Sequence, residues 1–222
     1  MPLDLHQTRL YARQIALPSV GPEGQERLAR ASVVIFAERD ARATGDTVAA
    51  DSTALYLRAA GVGAVTVAEI PLDERGFAEA LQGAQLAIRF AFDDDALMDA
   101  VTEAGLPLVV GRINQDVIEL LSLRQQRPCR HPSASPDAPV PASLPLHPVR
   151  RAARDPAPGA AAVVAATLAA TEALFVLLER DRQPTGQLLR LPLSGGEPTT
   201  VAIPWPPSCP LCEGPRPKVN LS

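Results

Sequence analysis

The sequence carries no basic excess: 21 lysines and arginines stand against 25 aspartates and glutamates, a formal net charge of −4. Without a positive face there is no electrostatic footprint for nucleic acid, and that class of partner is not expected. Cysteine is sparse. Two of the three form Cys209-Pro210-Leu211-Cys212, a spacing that suits a metal site in a reducing compartment better than a disulfide framework. Residues 1–14, MPLDLHQTRLYARQ, hold no basic segment followed by an apolar core, so no secretory signal and a cytoplasmic location are expected. No internal repeat is visible. One long apolar run occurs, Gly159 to Leu178, yet it is mostly alanine and contains Glu172. It therefore reads as the buried helix of a soluble fold, with no membrane partner.

What is present is one domain's worth of alternating elements. A chain of 222 residues, 46% hydrophobic, suffices for a single α/β domain with a sizeable core. Its organising stretch is Ser32 to Gly63. Val33 to Phe36 reads as a buried strand, and Ser52 to Ala60 has apolar residues at helical spacing. In nucleotide-binding units a short, glycine-dense turn joins such a pair, because backbone N–H groups must close on phosphate at the helix N-terminus. Here the connection, Ala37 to Asp51, has one glycine, Gly45, and four acids, Glu38, Asp40, Asp46 and Asp51. Those carboxylates repel a triphosphate.

Around that stretch, helical segments are expected at Thr8–Leu17 and from Gly21 to Ala31. Ala64 to Ala68 predicts a second strand closing at Glu69, an acid placed where dinucleotide sites hold ribose hydroxyls or where solvent holds it. Further strands are read at Gln85–Phe92, Leu108–Gly111, Val117–Leu123, Leu188–Leu193 and Thr199–Ile203, with helices at Phe77–Leu81, Asp95–Glu103 and Ala160–Leu178. The alternation predicts a Rossmann-like α/β fold: a mostly parallel sheet flanked by helices, with a C-terminal antiparallel extension. Residues 1–126 form the nucleotide-binding-type core, 127–158 a crossover rich in proline and alanine, and 159–222 the C-terminal helix, strands and CxxC tail.

Ordered along this chain are Tyr11-Ala12-Arg13-Gln14-Ile15, Gly24-Gln25-Glu26, Tyr56-Leu57 leading to Ala59-Ala60-Gly61-Val62-Gly63, Leu106-Pro107-Leu108-Val109, Pro128-Cys129, Thr171-Glu172-Ala173 and the closing CxxC. In order and spacing they resemble the ThiF/MoeB/HesA family, bacterial relatives of ubiquitin-activating enzymes. The resemblance implies two-fold dimerisation, ATP- and magnesium-dependent adenylation of the C-terminal glycine of a small β-grasp carrier protein, and often a structural zinc. It also marks departures. The glycine-rich loop is replaced, and the unit carrying an asparagine, an arginine and a lysine that grip phosphates is missing between Pro71 and Gln85. The magnesium aspartate's place falls on Phe92, with Asp93 one residue beyond, at a helix start that attracts acids in any case. The crossover has no cysteine at the nucleophile's place.

These losses predict a pseudoenzyme to which ATP and magnesium do not bind. Each positioned cation or dipole is worth a few kcal/mol at the transition state. By resemblance, Arg13 is either an arginine finger reaching a partner's ATP or an ordinary surface ion pair. The zinc ligands are Cys129, His131, Cys209 and Cys212, three sulfurs and one imidazole, unless that site has decayed. Three functions stay open. The chain is a non-catalytic subunit that dimerises with itself or with an active homologue, a stand-alone module that binds a carrier protein or leader peptide, or an adenylyltransferase with a remodelled site.

Overall fold

The computed structural model describes residues 3–38, 44–70, 72–90, 95–114, 117–123, 158–179, 187–193 and 195–202. The chain opens on α1 (Leu5–Leu10), α2 (Ala12–Ile15) and α3 (Gly21–Arg30). Asp4 and Gln7 cap α1 reciprocally, the Gln7 backbone N–H donating to Asp4 Oδ1 at 2.7 Å. The single helix expected over Thr8–Leu17 is instead two, broken at Tyr11 (φ −99°, ψ 14°). Its ring is held against Gly61, where any Cβ would lie 2.8 Å from Tyr11 Cζ.

The core begins with β1 (Ser32–Glu38), α4 (Thr44–Ala59) and β2 (Ala64–Ile70), continues through α5 (Glu74–Leu81), β3 (Leu86–Arg89) and α6 (Asp95–Glu103), and reaches β4 (Leu108–Asn114). These four strands are parallel, β1 lying between β2 and β3. β5 (Val117–Leu123), β6 (Gln187–Pro192) and β7 (Thr199–Ala202) then extend the sheet in antiparallel fashion, with α7 (Pro158–Leu177) between β5 and β6 in sequence. The seven strands lie in the order β2-β1-β3-β4-β5-β6-β7. The expected fold class is the observed one, and α7 starts one residue inside the segment read as crossover. The rest of that crossover lies outside the described residues.

Val33 to Ala37 are all buried because helices cover both faces of β1, which is why the strand reads as an unbroken apolar run. Alternate residues serve different layers. Val33, Ile35 and Ala37 join the cluster under α4 and α7, whereas Val34 and Phe36 join Phe77, Leu81, Leu97 and Val101 from α5 and α6. The rings of Phe36 and Phe77 meet edge to face, 5.6 Å apart. α7 has the length and apolarity of a bilayer span. In this fold it buries Ala162, Ala165, Ala166, Ala169 and Ala173 alongside Ala49, Ala50 and Ala54 of α4. Small side chains on both helices let the two backbones approach closely.

One expectation is corrected. Ala37 to Asp51 is not one long connection: β1 runs through Glu38 and α4 begins at Thr44. Asp46 lies in the helix's first turn and Asp51 on its exposed face, so only residues 39–43 join the two elements.

Candidate ligand site at the carboxyl ends of the parallel strands

β1 leaves through α4 to reach β2 on one side, and β2 returns through α5 to reach β3 on the other. The connections part above adjacent strands, and this switch point is where open α/β sheets hold ligands. Glu38 ends β1, half-buried. Across on β2, Glu69 stands opposite Ala37 and is exposed, at the strand end where the sequence places it. The first turn of α4 is tied down by the Thr47 hydroxyl, which donates to the Glu38 carbonyl at 2.8 Å. That contact holds the helix N-terminus beside the strand end. Asp46 in the same turn already compensates the positive end of the helix dipole, the feature that would otherwise favour phosphate. By strand alternation Asp46 and Glu69 lie on the α4 side of this strand end, and Glu38, two residues after Phe36, on the α5/α6 side.

The large side chains at this end come from β3 and its exit. Arg89 is 4% exposed and lies opposite Phe36 on the α5/α6 side. Phe90 is buried on the other side, its ring so close to Gly111 that a Cβ there would sit 2.8 Å from Phe90 Cδ1. Neither residue is singled out by sequence reasoning. A lone arginine inside the apolar run Leu86-Ala87-Ile88-Arg89-Phe90 was the available signal.

A second charged group lies on the same sheet face, further along it. Arg112, Glu119 and Arg190 are directly opposite one another on β4, β5 and β6. Glu119 is fully buried. Its Oε2 accepts from Arg112 Nε at 2.9 Å and from a second nitrogen of the same guanidinium. Arg190 Nε lies 3.1 Å from Glu119 Oε1, an ion pair without an aligned hydrogen bond.

Of the residues singled out in sequence, Arg13 is exposed on α2 with no ion pair among the described residues. Two residues earlier Tyr11 contacts Gly61, which follows α4 and precedes β2, so α2 docks at the amino ends of the strands. Seven residues of strand, about 23 Å, separate that end from the switch point, and within one chain Arg13 is not part of this site. Asp93, Cys129, His131, Cys209 and Cys212 lie outside the described residues. Among the described residues, no group of three or more His, Cys, Asp or Glu is placed to hold a metal.

A switch point on a parallel sheet continued by antiparallel strands defines a Rossmann-like α/β fold. Comparison with solved structures narrows this. PaaA superposes with a TM-score of 0.66 at 13% identity, over 90% of this chain and 75% of that one. Escherichia coli MccB with ATP gives 0.64 at 13% identity, over 91% and 74%. A heterocyclase in complex with substrate and cofactor gives 0.59 at 15% identity, over 95% of this chain but 28% of that one. In sequence, 60 residues are 53% identical to the sulfur carrier protein adenylyltransferase of Thermus thermophilus, covering 27% of this chain and only 19% of that protein. No family profile matches the chain. The fold is that of the ThiF/MoeB family.

Proposed function

We propose that this chain is a catalytically degenerate ThiF/MoeB-like protein, a non-catalytic subunit or scaffold in the activation of a small carrier protein. It holds that protein or its extended tail at the carboxyl end of the sheet and dimerises with an active homologue. The observation that carries this reading is acid where a triphosphate would need glycine and cations: Asp46 in the first turn of α4, Glu38 at the end of β1 and Glu69 near the end of β2. The single lysine of the sequence, Lys218, lies far along the chain from that unit. The relative in Thermus acts on a sulfur carrier protein by its name, which supports a carrier as partner here. In a heterodimer, Arg13 of α2 is the group that reaches the active partner's nucleotide, since it lies at the wrong end of the sheet to serve its own chain.

Calorimetric titration of the purified chain with ATP and magnesium tests the reading. No heat of binding is expected; micromolar binding with release of pyrophosphate in the presence of a carrier ending in Gly-Gly would overturn it. A second reading, a stand-alone peptide-holding module, is favoured by the fold shared with MccB, which has been crystallised with MccA. Co-purification separates the two, because a subunit brings down a larger ThiF-like protein and a module only the small one. Zinc on Cys129, His131, Cys209 and Cys212 remains part of the proposal. Elemental analysis giving close to one zinc per chain supports it, and less than about a tenth removes it.

A further inference from the structure

Two guanidiniums converge on one carboxylate in the row Arg112–Glu119–Arg190, and they do so unequally. Arg112 makes the two-point contact with Glu119 and its side chain is 13% exposed, whereas Arg190 approaches only through Nε and is 32% exposed. Glu119, 1% exposed at its side chain, takes both Arg112 contacts on Oε2, which leaves Oε1 facing Arg190. Arg190 therefore presents its charge at a partly exposed rim, while its Nε lies 3.1 Å from a buried anion. A guanidinium held in this way loses little freedom when it takes a planar anion in a second two-point contact.

The position of the row is informative as well. Arg89 is level with Val110 on β4, and Arg112 lies two residues further toward the carboxyl end on the same face, about 8 Å from Arg89 by strand geometry. The row thus lies at the ligand-holding end of the sheet. Arg190, on β6, is four strands from β1, about 19 Å, so the Glu38 and Asp46 charges are largely screened there. An anion repelled at the switch point is not repelled at Arg190.

We propose that Arg190 receives a carboxylate of a bound peptide, with Glu119 as the buried anchor that orients it. This rests on the reading that the sheet end holds a carrier or peptide tail, and not on the loss of ATP. The carboxylate can belong to a peptide C-terminus or to an acidic side chain, and the probes distinguish these.

The full chain, labelled with nitrogen-15, is titrated with acetyl-Gly-Gly, with acetyl-Gly-Gly amide and with acetyl-Asp amide while the arginine Nε–Hε resonances are followed. The Arg190 resonance, identified by its loss in Arg190→Lys, should move to saturation in the millimolar range with a carboxylate probe and stay still with the amide. Response to acetyl-Gly-Gly alone identifies a C-terminus, and response to acetyl-Asp amide an acidic side chain. In Arg190→Lys, which keeps the charge but loses the fork, affinity by calorimetry should fall about tenfold. Equal responses to acid and amide, or none to either carboxylate, would overturn the proposal, and both comparisons need only the native protein. Titration of the same sample with ATP reports separately on the degenerate nucleotide site.

Discussion

Glu119 has no water to fall back on. It is one of few acids in the described core, and its two arginine partners are themselves partly removed from solvent. Breaking a buried ion pair leaves an uncompensated charge, whereas an exposed pair loses little that water and salt do not replace. Glu119→Gln should therefore lower unfolding stability by about 3–5 kcal/mol. Arg75→Ala, which removes an exposed pair with Glu79, should change it by no more than about 0.5 kcal/mol. Urea titrations of the two variants check the contrast; similar costs would mean that Glu119 is more hydrated than its burial indicates. A second residue-scale outcome concerns Gly63, where any Cβ collides with the Ala29 carbonyl oxygen. Backbone has to move to admit it, so Gly63→Ala should cost about 1–3 kcal/mol in the same measurement. The glycine itself was legible in the sequence as the end of a helix. The ion-pair row was not, because it depends on the register of β6, which enters the sheet only after the long crossover and α7.

At the scale of elements, the strands and later helices were readable because their patterns are local. Asp95–Glu103 and Val117–Leu123 fall where periodicity places them, and β2 to β7 differ from expectation only at their ends. The start of α4 was not readable. Thr44-Gly45-Asp46-Thr47 has the composition of a turn, and it is helical because the Thr47 hydroxyl binds the end of β1 while Ala49, Ala50 and Ala54 pack beside α7. Tertiary contact overrides local propensity there. The candidate site suffers most from this. Glu38, Asp46 and Glu69 were visible as acids, but the place of Asp46 inside the first turn of α4 was not. The α4–α7 contact makes its own prediction. Ala166 and Ala169 are fully buried, and close packing leaves no space for larger groups. Ala166→Leu should lower stability by about 1–3 kcal/mol, visible as a lower urea midpoint with unchanged slope.

For the molecule as a whole, the outer faces of α4 and α7 are unusually apolar. Leu55 is 64% exposed and Tyr56 41%, with Val48, Val163 and Val164 between 37% and 38%. Leu5, Leu10 and Leu17 of the N-terminal segment are exposed as well, and α1 and α2 bury no residue of their own. Exposed leucine and valine on two adjacent helices and on the N-terminal segment are the kind of surface that a subunit interface covers. An arm with no core of its own gains stability only by lying on another surface. The proposed dimer uses these surfaces, and Arg13, carried on that arm, is then placed toward the partner instead of toward its own sheet end. Leu55→Glu places charge on the exposed face of α4 without touching the core beneath it. In sedimentation velocity it should convert dimer to monomer while leaving the circular dichroism spectrum intact. Mixed with an active homologue it should also abolish any acceleration of carrier adenylation, as Arg13→Ala should slow that reaction without dissociating the pair. If Leu55→Glu leaves the sedimentation coefficient unchanged, this face is not where subunits meet; if Arg13→Ala leaves the rate unchanged, its charge does not reach the partner's nucleotide.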